Sequence, residues 1–138
     1  IGDGRGIAAA FILGASGVQV GTRFLASEEC QIHDNYKNAV IKSKDIDTIV
    51  TGRCTGHPVQ VLKNKLAKEY LKLESANASI EVLEELGKGT LKRAVVDGDI
   101  ENGSLMAGQI SGMVKKIQSV KEIIEEMFNE YEEVKRSL

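Results

Sequence analysis

A chain of 138 residues is long enough for one domain with its own core, and its formal net charge of −2 argues against a nucleic-acid partner, which requires a basic face. No apolar run reaches the roughly 18 residues needed to cross a membrane, and no secretory signal pattern is present. The chain starts at Ile1, inside a turn-like sequence, so we expect it to be part of a longer protein. The two cysteines lack the spacing of a redox or metal motif and favour reduced thiols of a cytoplasmic protein.

The opening stretch combines a glycine-rich turn, a helix and a short apolar segment. Asp3 precedes the alanine-rich run 6–13 and is expected to cap it as a helix that ends at Gly14. The valines of 18–20, bounded by glycines, predict a buried parallel strand that ends at Gly21.

Gly21 and Thr22 follow directly after that predicted strand. A bare backbone at the end of a strand, like the start of a helix, leaves N–H groups free for an anion, most often a phosphate. The alternative is structural: Gly21 would only allow tight packing, and Thr22 would cap the next turn.

The middle of the chain predicts helices separated by short extended segments. Ser27 is expected to cap the first of these helices, with Glu28 and Glu29 in its first turn. In chain order we predict a helix within 26–43, a strand over 47–52, a turn at 55–58, a second short strand or extended arm at 59–62, and a helix over 64–73.

The remainder reads as helical. The charged face of the final helix is expected to be solvated. The predicted helices run from Ser79 to about Gly87, over 91–96, from Gln109 through Ile117, and from about 119 to 136.

The motifs DGRGIAAAFILGASGVQVGTRF, TGRCTGHPVQVLKNK and ENGSLMAGQISGMV are the most informative parts of the sequence. The first resembles the end of the barrel in FMN-dependent TIM-barrel enzymes, a pattern shared with inosine-monophosphate dehydrogenases. The other two resemble the C-terminal portion of the flavin-containing enoyl-acyl-carrier-protein reductases of type II, which are close relatives of the nitronate monooxygenases, formerly called 2-nitropropane dioxygenases. The resemblance extends over essentially the whole chain.

The resemblance implies an α/β fold: the C-terminal fragment of an FMN-binding TIM (β/α)8 barrel followed by a mostly helical segment. Residues 1–26 would form the end of the barrel, with a helix and the last strand on the FMN phosphate side. Residues 27–138 would form the C-terminal, mostly helical segment, with short strands near 47–62.

The same resemblance implies which residues meet the cofactor. The glycine–threonine pair would hold the FMN phosphate, and the MAGQ segment would lie near the flavin. The implied cofactor-binding residues are Gly21, Thr22, Met106, Ala107, Gly108 and Gln109. The amide of Gln109 can both donate and accept a hydrogen bond at a flavin edge, although it could equally be an ordinary polar residue at the start of a helix.

No catalytic residue is expected in this segment, because the resemblance places the active-site histidine upstream. His33 reads as a surface residue. His57 reads as a structural loop residue, with an approach to the substrate mouth as the alternative. Cys54 has no evident base beside it, and no cluster has the spacing of a zinc or calcium site.

The implied reaction passes hydride from NAD(P)H through FMN to a trans-2-enoyl thioester on acyl-carrier protein, in a parent protein that is a homodimer. The resemblance also allows a monovalent cation. Two alternatives remain: a nitronate monooxygenase on the same fold, and a non-catalytic helical interaction module. The isolated chain is expected to be inactive and not to bind FMN tightly.

Overall fold

The computed structural model describes residues 1–137, which form helices and a two-stranded sheet. The elements are α1 (Gly4–Ile12), α2 (Thr22–Leu25), α3 (Asp34–Lys42), β1 (Thr48–Thr51), β2 (Val59–Leu62), α4 (Lys65–Ser75), α5 (Ile80–Gly87), α6 (Thr90–Val95), a 3₁₀ helix (Gln109–Met113) and α7 (Val120–Ser137).

The start of the chain forms the predicted helix but not the predicted strand. The Asp3 carboxylate accepts a hydrogen bond from the Gly6 N–H at 2.8 Å and so caps α1 as expected. The strand predicted over 18–20 is wrong for the described residues 1–137, because no strand among them pairs with this segment to form a ladder. Val18 and Val20 instead pack against a cluster centred on Ile123.

The predicted cap at Ser27 is also wrong, because helix α3 begins at Asp34 and is capped by His33. The Ser27 hydroxyl donates to the Phe24 carbonyl at 2.9 Å and accepts from the Cys30 N–H, so it closes turns. Glu29, expected in the first turn of that helix, instead accepts the Val120 N–H at 2.9 Å at the start of α7.

The helix expected from Gln109 through Ile117 shortens to the 3₁₀ helix Gln109–Met113. Gly112 weakens helix formation in this segment, and a Cβ at Gly112 would lie only 2.3 Å from the Asp45 carboxylate. Downstream, Gln118 accepts the Glu28 N–H at 2.9 Å in a parallel bridge, which draws the chain out of a helical path.

Strands β1 and β2 are antiparallel, with Thr48 opposite Leu62 and Thr51 opposite Val59. Of the two alternatives for residues 59–62, a short strand or an extended arm, the strand is therefore confirmed. The hairpin covers one side of the main apolar core. The buried members of this core are Ala26, Tyr36, Val40, Leu62, Ala94, Leu105, Ala107 and Val114.

A second cluster joins the two ends of the chain through α1 and α7. Ile7, Ile123 and Met127 are buried together, and Phe11 meets Tyr131 edge-to-face with ring centroids 5.3 Å apart. The predicted division at residue 26 therefore separates two segments that share a core, and the division itself stays a prediction.

Among the described residues 1–137, no helix is both long and apolar enough to span a bilayer. The same residues contain no group of three or more His, Cys, Asp or Glu side chains placed to hold a metal ion.

Candidate functional site

Gly21 and Thr22 lie at the start of the short helix α2. Gly21 is exposed, and nothing lies within 4 Å of the position that a Cβ would occupy there. Thr22 is half-buried and is the first residue of the helix. The pair therefore combines an open backbone with one hydroxyl directed into the protein.

The segment 106–109 runs along the free edge of β2. The Ala107 N–H donates to the Gln60 carbonyl at 3.1 Å, and Met106 forms an antiparallel bridge with Val61. Ala107 is buried, Gly108 is half-buried, and Met106 and Gln109 are exposed. The hairpin thus fixes the backbone of this segment while two of its side chains remain accessible.

A single hydrogen bond brings the two predicted cofactor segments together. The Gly108 N–H donates to the Thr22 Oγ1 at 2.8 Å, across 86 positions of sequence. A Cβ at Gly108 would lie 3.1 Å from the same oxygen, so the glycine permits this close approach. The threonine hydroxyl keeps its own hydrogen, which it can donate to a further acceptor.

Tyr36 holds the second segment from inside the core. Its hydroxyl donates to the Met106 carbonyl at 2.7 Å, and the side chain is only 2% exposed. Burial raises the pKa of the phenol well above its ordinary value, so the group remains a neutral donor. No local feature of the sequence signals that Tyr36 positions Met106.

Arg23 secures the first segment to α7. Its Nη2 donates to the Gln118 Oε1 at 2.7 Å and lies 3.6 Å from a carboxylate oxygen of Glu126. The pKa of Glu126 is lowered chiefly by a hydrogen bond from the Gln118 amide, with smaller contributions from Lys116 and Arg23. The position of Arg23 directly after Gly21 and Thr22 is the one feature of the sequence that points to this contact, and no prediction was made from it.

A cavity of about 190 Å³ lies beside the 106–109 segment. Its walls come from the hairpin, α4, the start of α6 and the stretch 104–106, and Met106 is part of the lining. The candidate site therefore has two parts: the junction of Thr22 with Gly108, and a recess that reaches the same segment at Met106.

The histidines lie outside the Thr22–Gly108 junction. His33 accepts the Asn35 N–H through Nδ1 at the start of α3. His57 is exposed in the loop after β1 and lines the cavity.

Cys54, in the same loop as His57, donates its thiol hydrogen to Glu74 at 3.1 Å. That hydrogen bond is the largest contribution that raises the pKa of the thiol. A raised pKa disfavours the nucleophilic thiolate.

Comparison with known families gives this site its context, since the family model for nitronate monooxygenases matches residues 1–130. The chain belongs to the nitronate monooxygenase family. This membership favours the enzyme interpretations over a non-catalytic helical module.

Curated relatives carry the same family name. A protein of Staphylococcus saprophyticus named probable nitronate monooxygenase is 32% identical over 117 residues, which is 85% of this chain and 33% of the relative. A protein of Staphylococcus aureus strain JH9 with the same name is 35% identical over 107 residues, which is 78% of this chain and 30% of the relative. The chain therefore spans about a third of the length of these relatives.

Solved structures match almost the entire chain. FabK from Thermotoga maritima is 46% identical with a TM-score of 0.93, over 99% of this chain and 43% of FabK. Nitroalkane oxidase from Streptomyces ansochromogenes is 27% identical with a TM-score of 0.78, over 99% of this chain and 39% of the oxidase. The chain thus has the mixed α/β fold of the C-terminal part of these TIM-barrel relatives, as expected from its sequence.

Proposed function

We propose that the protein to which this chain belongs is an FMN-dependent oxidoreductase that uses NAD(P)H to reduce trans-2-enoyl thioesters of acyl-carrier protein, in fatty-acid synthesis. The observation that carries the proposal is the hydrogen bond from the Gly108 N–H to the Thr22 hydroxyl. It unites two segments, 86 residues apart, to which the family resemblance assigns the same cofactor.

The local geometry fits a phosphate and a flavin edge. The open space at Gly21 allows a bulky oxyanion to approach the backbone, and the Thr22 hydroxyl has a hydrogen to donate toward it. Gln109 is exposed and carries an amide that can donate and accept. Bound FMN would supply the hydride chemistry, while these residues bind and orient the cofactor.

The comparison of the two solved structures favours enoyl reduction over nitronate oxidation. FabK, the enoyl-acyl-carrier-protein reductase II, shares 46% identity and a TM-score of 0.93, against 27% and 0.78 for the nitroalkane oxidase. The second candidate is nitronate oxidation, which the names of the curated relatives support.

A row of lysines supports the carrier-protein part of the proposal. Lys65 and Lys68 of α4, with Lys42 and Lys63, line an open groove of about 540 Å³. Asp47 and Glu101 also line the groove, and Lys63 donates a hydrogen bond to the Ile46 carbonyl. The ion pairs formed within residues 1–137 involve other basic side chains, so Lys42, Lys65 and Lys68 carry charges that are available to a partner. Asn64 and Leu105 border both this groove and the cavity beside Met106. An acidic carrier on this groove would hold its acyl group close to the candidate site.

The test uses the full-length protein, the chain together with the remainder of its polypeptide. Heat should release FMN, and NADH or NADPH should be consumed in proportion to added trans-2-butenoyl thioester. Oxygen uptake that depends on an alkyl nitronate, without enoyl-dependent oxidation of either nucleotide, would favour the second candidate. A full-length protein purified without flavin, and unable to bind added FMN, would exclude both.

A further inference from the structure

The cavity beside Met106 has the character of a binding site for an alkyl chain. Its volume of about 190 Å³ exceeds the voids of a well-packed interior, and an engineered apolar cavity of about 150 Å³ is known to bind benzene. Besides Met106, its aliphatic lining residues are Val59, Val61, Leu66, Ala67, Leu91 and Leu105.

Two of the polar side chains in its lining, Asn64 and Thr90, are already engaged within the fold. The Asn64 amide donates to the Gly103 carbonyl at 2.7 Å and accepts the Ala67 N–H at 2.9 Å. The Thr90 hydroxyl donates to the Gly87 carbonyl at 2.7 Å. Further polar side chains also reach the lining, namely those of Thr51, His57, Tyr70 and Ser104. Most of the exposed lining surface is nevertheless apolar, which favours a hydrocarbon over a sugar or a charged metabolite.

The cavity is connected to both the candidate site and the surface. Met106 belongs to the segment joined to Thr22 through Gly108, and it also lines the cavity. Leu91, which is 43% exposed, and the exposed His57 lie at the rim. Helix α4 forms a wall, where the small side chain of Ala67 is 4% exposed and leaves room that a larger residue would fill.

We propose that this cavity receives the alkyl tail of the substrate, and that Ala67 and Leu66 determine the chain length it accepts. The inference rests on the proposed function for the identity of the reacting group, an enoyl thioester. The cavity itself requires only that the substrate carries a hydrocarbon tail.

Two opposite substitutions in full-length, flavin-loaded protein test this inference. Ala67→Leu reduces the space available, and Leu66→Ala enlarges it. The substrates are trans-2-butenoyl and trans-2-decenoyl thioesters of N-acetylcysteamine, which differ only in the length of the tail. Leu71→Ala is the matched control, since Leu71 is also a half-buried leucine of α4 but is not part of the lining.

We expect Ala67→Leu to lower kcat/KM for the decenoyl thioester by about tenfold or more, because several methylenes lose their apolar contacts, while the butenoyl value changes less than about twofold. Leu66→Ala should raise the ratio of kcat/KM for the decenoyl thioester to kcat/KM for the butenoyl thioester. Leu71→Ala should leave this ratio unchanged. If both cavity variants turn over both thioesters in the wild-type ratio, the inference is overturned and the proposed function stands.

A binding measurement separates this inference from the proposed function. Saturated decanoyl-N-acetylcysteamine should raise the thermal midpoint of the wild-type protein, and should do so less in Ala67→Leu. If the wild-type protein is stabilised but has no enoyl reductase activity, the alkyl site is supported and the proposed reaction fails. If saturating probe does not stabilise the wild-type protein, the inference is wrong. Should Ala67→Leu fail to fold, Leu66→Ala alone decides through its chain-length profile.

Discussion

At the scale of single residues, the Thr22 hydroxyl is the point where the two predicted cofactor segments meet. Replacing Thr22 with Val keeps the shape but removes both the acceptor for the Gly108 N–H and the donor proposed for the FMN phosphate. We expect FMN affinity in the full-length protein to fall by about tenfold or more, since a hydrogen bond to a charged group contributes about 1.5–3 kcal/mol.

Thr22→Ser is the matched control because it retains the hydroxyl, and it should bind FMN within about threefold of wild type. Fluorescence titration of the deflavinated protein measures both affinities. Equal affinities for the Val variant and the wild type would remove Thr22 from the cofactor site.

Cys54 provides a residue-scale prediction of pH dependence. The thiol donates a hydrogen bond to the Glu74 carboxylate, which favours the protonated thiol and raises its pKa. Glu74→Gln removes the negative charge and weakens the acceptor, so the thiol should ionise at lower pH.

In a Cys30→Ser background, where Cys54 is the only cysteine of this chain, the rate of iodoacetamide alkylation reports the thiolate. The alkylation profile of Glu74→Gln should shift to lower pH relative to the Cys30→Ser parent. For the full-length protein, mass spectrometry of the peptide that contains Cys54 isolates this signal. A profile that does not move, or moves to higher pH, would contradict the role of Glu74.

At the scale of elements, the contact of α1 with α7 depends on a glycine. A Cβ at Gly4 would lie 2.3 Å from the Met127 carbonyl oxygen and 2.5 Å from the Tyr131 nitrogen, both of them backbone atoms. Gly4→Ala should therefore force the two helices apart and destabilise the protein by about 1–3 kcal/mol.

Gly6 in the same helix is the control. A Cβ there would have its nearest neighbours at 3.4 Å, and alanine favours a helix more than glycine does. Thermal unfolding should therefore show a lower midpoint for Gly4→Ala and an unchanged or slightly higher midpoint for Gly6→Ala. Equal midpoints for the two variants would show that the helices can separate at little cost.

The two groove lysines of α4, Lys65 and Lys68, give a prediction about the binding of the carrier protein. The double variant Lys65→Glu/Lys68→Glu reverses two charges of the groove, so kcat/KM for carrier-bound substrate should fall by about tenfold at low salt. The value for the N-acetylcysteamine thioester, which has no carrier, should stay within about twofold.

Lys115→Glu/Lys121→Glu provides the control, because these lysines are also exposed but do not line the groove. Raising the salt concentration should weaken the wild-type preference for carrier-bound substrate. Equal losses on both substrates would place the lysines in folding or in the site itself, and would remove the groove as a docking surface.

The elements that were predicted correctly are those with strong local signals. Asp3 capping α1, the amphipathic final helix and the strand before Gly52 all follow from residues close to one another in sequence. The incorrect predictions concern segments whose local structure is determined by contacts with residues distant in sequence. Ser27 closes a turn because Glu28 pairs with Gln118, and the helix after Gln109 stops where Gly112 meets Asp45.

At the scale of the whole molecule, sequence reasoning predicted two cofactor segments but not the contact that joins them. The motifs around Thr22 and Gly108 can be recognised from the sequence, because each consists of residues that are neighbours along the chain. The contact between them, the Tyr36 anchor and the cavity formed with α4 depend on tertiary packing. A single sequence carries no direct record of such contacts.

The measurement that tests the central claim most directly is a single turnover of the full-length flavoprotein without oxygen. The flavin is first reduced with one equivalent of NADH or NADPH and then mixed with trans-2-butenoyl thioester. We expect the flavin to be reoxidised with formation of one equivalent of butanoyl thioester, detected by mass spectrometry. If the reduced flavin remains reduced with the enoyl thioester, while the oxidised protein consumes alkyl nitronate and oxygen, the protein is a nitronate oxidase and the proposed enoyl reduction is wrong.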